Sequence, residues 1–211
     1  MPVLKPSGTR RGHTTTVQQL ELGIVVGGGP ETLVDDATGR IVYAPGIVPR
    51  RTAAFWFAEL HGSIEWQHER RPMYDRVVDV PRLTAHFGPG VEWPALLRAP
   101  KRAAEAFAGV RYNSVGLNLY RDGSDSVAMH NDHVNELIED SPIVLVSVGA
   151  VRRMRIHSKA QPRRAFDVAL EPGSILLMAG AAQRHWEHGI PKTREAVGPR
   201  ISLAFRQRPT G

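Results

Sequence analysis

From Ser114 onward the chain falls into short β-rich runs: Ser114 to Tyr120, Ile143 to Val148, Arg152 to His157, Arg164 to Leu170, Ser174 to Met178 and Arg200 to Arg206. Turn-forming groups separate them, among them Asp122-Gly123, Asp140-Ser141-Pro142 and Glu171-Pro172-Gly173, residues that favour chain reversal over a continued strand. Short strands at near-regular spacing suggest a sandwich or barrel, of which the jelly roll is one form. Upstream, Ala53, Phe57 and Leu60 stand at helical spacing within Thr52 to His61, and Trp93 to Ala108 does likewise before Gly109. Two helices are expected. Leu22 to Val26 and Ile41 to Tyr43 read as short strands, broken by Gly27-Gly28-Gly29-Pro30 and Asp35-Asp36. The triple glycine lacks the spacing of a nucleotide-binding loop and is a turn. Residues 1–20 are polar, basic and without period, and are expected to form a loose arm.

Composition narrows the chemistry. With 42% hydrophobic residues in 211, the chain can bury one sizeable core. No stretch approaches the roughly 18 consecutive apolar residues of a membrane span, and the N-terminus lacks the charged-then-apolar order of a secretory signal. A soluble cytoplasmic protein, without a membrane and acting as a monomer, is the expectation. There are no cysteines, so disulfides, thiolate metal sites and cysteine nucleophiles are excluded, and a metal must be held by histidine and carboxylate. Residues 151–211 carry twelve Lys or Arg against four acids, while the first 150 are slightly acidic. A one-sided basic segment suits a polyanionic partner such as nucleic acid; a solvated basic surface fits the charge equally well.

His130 and Asp132 stand at i and i+2, which on a strand places both side chains on one face, so that together they can hold one ion. A third ligand must come from His133, His157, His185 or His188. Two histidines and one carboxylate leave three positions open, as a non-haem iron(II) oxygenase requires, whereas a structural zinc site closes its fourth position.

The surrounding residues sharpen this. Asn118-Leu119-Tyr120-Arg121-Asp122-Gly123-Ser124-Asp125, then His130-Asn131-Asp132, then Ser147-Val148-Gly149, resemble the core of the AlkB-family dioxygenases. Gly173 to Met178, His185-Trp186-Glu187-His188, Ile190-Pro191-Lys192 and Pro199 to Arg206 continue the likeness in order. It runs from about Trp66 to Arg208 and is especially like the branch that repairs alkylated DNA. The resemblance implies an α+β fold whose core is a double-stranded β-helix, or jelly roll, with flanking helices. It implies a single catalytic domain, with an extension over 21–110 containing a nucleotide-recognition region and the catalytic core over 111–211. It implies Fe(II) held by His130, Asp132 and His188, and 2-oxoglutarate gripped by Arg200 and Arg206. Asn118, Tyr120 and Ser202, the last replacing a common asparagine, face the same co-substrate. His185 is left with packing or a supporting hydrogen bond. The implied reaction consumes O2 and 2-oxoglutarate, hydroxylates an N-alkyl carbon of a nucleobase in DNA or RNA, and releases succinate, CO2 and formaldehyde.

A base inside a duplex cannot reach such an iron and must be flipped or single-stranded. Arg70 to Tyr74 and Val80 to Thr84, including Arg82, resemble the family's nucleotide-recognition region, with Tyr74 at or beside a wedging position. Trp93 falls close to a position whose aromatic ring stacks on the flipped base. Arg152, within the basic run from Arg152 to Arg164, is expected to meet phosphates. Val134 stands where the repair branch carries an acid beside the bound base, so weaker preference for cationic 1-methyladenine and 3-methylcytosine is expected unless Glu136 reaches in. Two alternatives remain: a 2-oxoglutarate-dependent hydroxylase of a protein or small molecule, and a metal-binding sandwich without turnover, against which the Arg200 and Arg206 pair speaks.

Overall fold

The computed structural model describes residues 28–73, 76–132 and 134–210; the expected arm and the Leu22 to Val26 run lie outside them. The chain begins with β1 (Glu31–Asp36), β2 (Gly39–Ala44), α1 (Arg50–Ser63), β3 (Gln67–Met73), β4 (Arg76–Phe87) and α2 (Arg98–Ala108). It continues with β5 (Ser114–Tyr120), β6 (Val127–His130), β7 (Ile143–Gly149), β8 (Arg152–Ser158) and β9 (Ala165–Leu170). The last elements are β10 (Ile175–Ala179), α3 (Ala182–His185), β11 (Trp186–Ile190) and β12 (Arg200–Arg206). A large antiparallel sheet has the order β1-β2-β10-β7-β12-β5-β4-β3, and a small one the order β6-β11-β8-β9. With helices flanking the large sheet, this is an α+β jelly roll.

Alternation along the central strands divides the interior into two cores. Val115, Leu117 and Leu119 of β5, Val144, Val146 and Val148 of β7, and Ile201, Leu203 and Phe205 of β12 join Ala53 and Leu60 of α1 and Ala104 of α2. The intervening residues face the other way, where Ile143, Leu145, Leu176 and Met178 meet Met154, Ile156, Val168 and Trp186 of the small sheet. Strand periodicity of two thus lets one sheet pack helices on one face and a second sheet on the other.

The strands expected at Ser114 to Tyr120 and Arg200 to Arg206 fall within those bounds. The expected helix over Trp93 to Ala108 is shorter. Pro94 disfavours helical geometry at Trp93, a 3-10 turn follows at Ala95–Leu97, and α2 starts only at Arg98. β1, β3, β4, β6 and β11 were not expected as strands, and Asp35-Asp36, expected as a break, ends β1; β3 and β4 extend the large sheet past β5, so that sheet crosses the expected boundary near residue 110. Among the described residues no helix is long and apolar enough to cross a membrane.

The short helix α3 has one permissive contact. Gly39 sits at φ +121°, and a Cβ there would come within 2.4 Å of the Ala182 nitrogen. Gly39→Ala should therefore cost about 2 kcal/mol or more, from backbone strain and displacement of α3. Urea denaturation measures this, and an unchanged midpoint would mean that α3 does not depend on close approach at Gly39.

Candidate active site

The same alternation that sends Leu117 and Leu203 toward the helices turns Asn118, Tyr120, Ser147, Arg200, Ser202 and Arg206 toward the small sheet. Register sets Ser202 beside Asn118 on β5 and beside Ser147 on β7. Gly116 and Ala204 also pair across β5 and β12, and two small residues at that level leave room between the sheets. A cavity of about 940 Å³ opens there, with Asn118, Tyr120, Ser202 and Arg206 on one side and His130, Asp132 and His188 on the other.

β6 and β11 pair antiparallel with His130 opposite His188. The two imidazoles lie with ring centroids 4.5 Å apart. Gly189 permits this approach, since a Cβ there would stand 2.9 Å from the Val127 carbonyl oxygen and 3.0 Å from Met129 Sδ. His130 Nδ1 lies 2.9 Å from the Ala128 carbonyl oxygen. A carbonyl only accepts, so Nδ1 is the donor to it and Nε2 is the ring nitrogen left to meet a metal. Burial, followed by the neighbouring His130, pushes His188 down to about 4, which keeps its ring neutral and able to ligate at neutral pH. For Asp132, burial acts to raise the pKa, but Arg206 and then His188 outweigh it and hold the carboxyl below its ordinary range.

Asp132 is engaged by Arg206, whose Nη2 donates to Oδ1 at 2.7 Å and Nε to Oδ2 at 3.2 Å. This is a bidentate, charge-assisted pair. Among the described residues no three histidine or carboxylate side chains stand together as a ready-made metal cage, because Asp132 is turned to Arg206 while the histidines face each other. The donor set of two imidazoles and one ionised carboxylate nevertheless has the chemistry of a non-haem iron site.

Arg200 is fully buried. Nη2 donates to Ser147 Oγ at 2.9 Å, and the guanidinium lies 5.4 Å from the Tyr120 ring centroid. Its Nε and Nη1 have no partner among the described residues. Burial, partly countered by Tyr120, pulls its pKa down to about 10, so it stays charged at neutral pH. A buried cation with two unpaired donors is costly unless an anion is bound, and a dicarboxylate fits that requirement. Asn118 is also prepared. Its Oδ1 accepts from Arg82 Nε at 2.7 Å, leaving its amide hydrogens as donors.

Other expected site residues lie elsewhere. Trp93 does not line this cavity: its indole N–H bonds the Gly88 carbonyl, its ring stacks on Phe205, and Lys101 covers it at 4.6 Å from the centroid. Arg152 is 3% exposed and donates to the carbonyls of Asp122, Asp125 and Pro191, so it ties loops together instead of meeting phosphates. Arg153 and Arg155 do face outward, sharing Asp167. Val134 is 39% exposed and outside the cavity wall, whereas Glu136 is in the wall with Arg208 Nη1 at 2.9 Å. Arg82 lies in the wall. His185 is exposed, and His157 faces Glu187 at 3.7 Å. Tyr74 and His133 lie outside the described residues. Sequence reasoning missed Gln183, whose Oε1 accepts the Asp132 N–H at 2.8 Å; no motif marks it.

Residues 86–206 match the family model of the 2OG-Fe(II) oxygenase superfamily, which defines the class. The chain is 30% identical over 195 residues to human alpha-ketoglutarate-dependent dioxygenase alkB homolog 3, covering 83% of this chain and 68% of that protein. It is 36% identical over 121 residues to mouse DNA oxidative demethylase ALKBH2, covering 54% of this chain and 50% of that one. The solved structure of OsALKBH1 superposes with a TM-score of 0.61 at 15% identity, over 79% of this chain and 97% of that chain. The chain belongs to the AlkB family of 2OG-Fe(II) oxygenases. It is a dioxygenase that uses Fe(II), 2-oxoglutarate and O2.

The depressed pKa of His188 has a measurable consequence. The unfolded chain takes up the proton near pH 6.5 and the folded metal-free protein only near pH 4, so the neutral ring stabilises the fold above 6.5 and that stability is lost as pH falls between these values. Stability of the metal-free protein should decline by up to about 1.4 kcal/mol per pH unit over that window. His188→Gln should flatten this slope in denaturation measured at several pH values. An identical slope in the variant would assign the titration to another group.

Proposed function

We propose that this dioxygenase removes alkyl groups from the nucleobases of DNA or RNA, with His130, Asp132 and His188 holding the iron and Arg200 and Arg206 gripping 2-oxoglutarate. The observation that carries the substrate reading is the cavity. Its volume of about 940 Å³ is near the upper end of the roughly 300–1,000 Å³ of small-molecule sites, which leaves space for a base beside the co-substrate. Arg82, Lys192 and Arg208 in its wall favour an anionic backbone at the mouth. The name of the mouse relative, a DNA oxidative demethylase, supports the same reading.

When bound, the iron with 2-oxoglutarate and O2 supplies the oxidising power that hydroxylates an N-alkyl carbon, giving succinate, CO2 and, from a methyl group, formaldehyde. The chain's residues do the rest. Arg200, fixed by Ser147 and Tyr120, meets one carboxylate of the co-substrate in a dry setting where the ion pair is strong. Asn118, with its oxygen held by Arg82, offers its amide hydrogens to the same ligand. Arg206 neutralises charge beside Asp132. Leu145, Met154 and Ile190 line the cavity and limit water around the reacting carbon.

Formaldehyde and succinate release should be measured on single- and double-stranded oligonucleotides carrying methylated or etheno bases. Wild type should release both, and Asp132→Ala neither. If 2-oxoglutarate is consumed but no oligonucleotide yields formaldehyde or an altered base, a protein or small-molecule hydroxylase becomes the better reading.

Arg200→Ala should weaken 2-oxoglutarate binding by about 2 kcal/mol or more, roughly thirtyfold. Calorimetry showing wild-type affinity would remove Arg200 from the co-substrate site.

A further inference from the structure

The Asp132 backbone is tied to a residue no motif contains. Gln183 lies on α3 and is only 6% exposed. Its Oε1 accepts the Asp132 N–H at 2.8 Å, and its Nε2 faces Met178 Sδ at 3.6 Å. The backbone N–H needs an oxygen and the thioether accepts from the amide, so both neighbours fix the same orientation of the side chain. A second tether runs alongside: Lys159 Nζ donates to Asn131 Oδ1 at 3.0 Å and approaches the Gln183 carbonyl oxygen at 3.5 Å. Asn131 Nδ2 in turn donates to the Asp132 carbonyl oxygen at 3.1 Å.

The location of Gln183 gives these bonds their meaning. α3 runs directly into β11, so only four residues lie between Gln183 and His188. α3 is itself seated against Gly39, where no Cβ can fit. Gln183 therefore joins two segments, one carrying Asp132 and the other carrying His188, in addition to the pairing of β6 with β11 and the Lys159 tether. We propose that Gln183 is a positioning residue of the metal centre: it fixes the backbone at Asp132 relative to His188, so that the carboxylate can meet an ion held by the two imidazoles. This rests on the reading that His130, Asp132 and His188 are the iron ligands. Supporting bonds behind the ligands typically govern metal affinity by about ten- to a hundredfold.

The alternative is that Gln183 only satisfies a buried N–H and contributes to folding. Metal affinity separates the two. Anaerobic Co(II) titration, read by calorimetry and visible absorption, should be run on wild type, Gln183→Met, Gln183→Glu and Asp132→Ala, with thermal unfolding of each metal-free protein. Gln183→Met keeps the volume and loses the acceptor; it should bind Co(II) about ten- to a hundredfold more weakly with an altered spectrum. Gln183→Glu keeps an oxygen for the Asp132 N–H and should recover much of that loss. Wild-type affinity and spectrum in Gln183→Met, with Asp132→Ala unable to bind, would overturn the inference while leaving the ligands intact. Equal binding by wild type and Asp132→Ala would overturn the ligand reading and the inference with it. Should Gln183→Met fail to fold, the exposed Lys159→Met carries the test: it should weaken Co(II) binding in the same direction, and unchanged affinity would overturn the positioning role.

Discussion

The register among β5, β12 and β7 decides which residues of this protein can do chemistry. Side chains alternate with a period of two, so a slip of one residue in β12 would send Arg200, Ser202 and Arg206 into the helix-side core and bring Ile201, Leu203 and Phe205 to the cavity. That alternative would bury two unpaired guanidiniums among leucines and valines. The apolar set therefore enforces the polar one: Ile201, Leu203 and Phe205 are fully buried against α1 and α2, and each holds its neighbour on the opposite face. Stability and site geometry share one pattern. Gly116 and Ala204, too small to fill the space between the sheets, then determine where along that face the cavity opens.

Positive charge is concentrated at one end of that face. The Tyr120 ring lies 5.7 Å from the Arg152 guanidinium and 5.4 Å from that of Arg200, and Tyr120 is itself buried. Cations beside an aromatic face gain from its quadrupole. The two arginines resolve their burial differently. Arg152 satisfies its donors on three carbonyls and so braces the loops that follow β5 and β11. Arg200 has only Ser147 and keeps Nε and Nη1 unpaired. Identical residue types at neighbouring sites thus differ according to whether backbone oxygens reach them: Arg152 braces loops, and Arg200 keeps donors that, under our reading of the function, an anion meets.

That division explains what the sequence made legible. The candidates His130, Asp132, His188, Arg200 and Arg206 stood out through ordered motifs that resemble the AlkB family; strand spacing alone places only Arg200 and Arg206 together, since β6 ends at His130 and Asp132 lies beyond it. The central strands could be read because Val, Leu and Ile alternate through them between clear turns. Arg152 was misjudged since nothing local distinguishes an arginine bound to distant carbonyls, 27 to 39 residues away, from one facing solvent. Trp93 was misplaced for a related reason: its partners, the Gly88 carbonyl and the Phe205 ring, are fixed by the fold and leave no local signal. β6 and β11 escaped notice because they are only four and five residues long and carry histidines and glycine where a strand usually shows branched residues. Their irregular composition is what the site requires, since Gly189 lets the two histidine-bearing strands approach.

The position of the acids bears on which base the cavity favours. Val134 is turned outward, so the carboxylates near the cavity are Glu69, Asp132 and Glu136. Asp132 is neutralised by Arg206, and Glu136 by Arg208 at 2.9 Å. A carboxylate already paired with a guanidinium attracts a further cation weakly, because the pair's field falls off faster than that of a single charge. Arg82 adds positive charge to the wall, while its own Nε is engaged with Asn118. Asp132 and Glu136 therefore offer a cationic base little electrostatic advantage over a neutral one. Under our reading of the function, these two acids thus leave the choice between neutral and cationic adducts to the rest of the wall, Glu69 included, and to its shape and hydrogen bonds to the base edge.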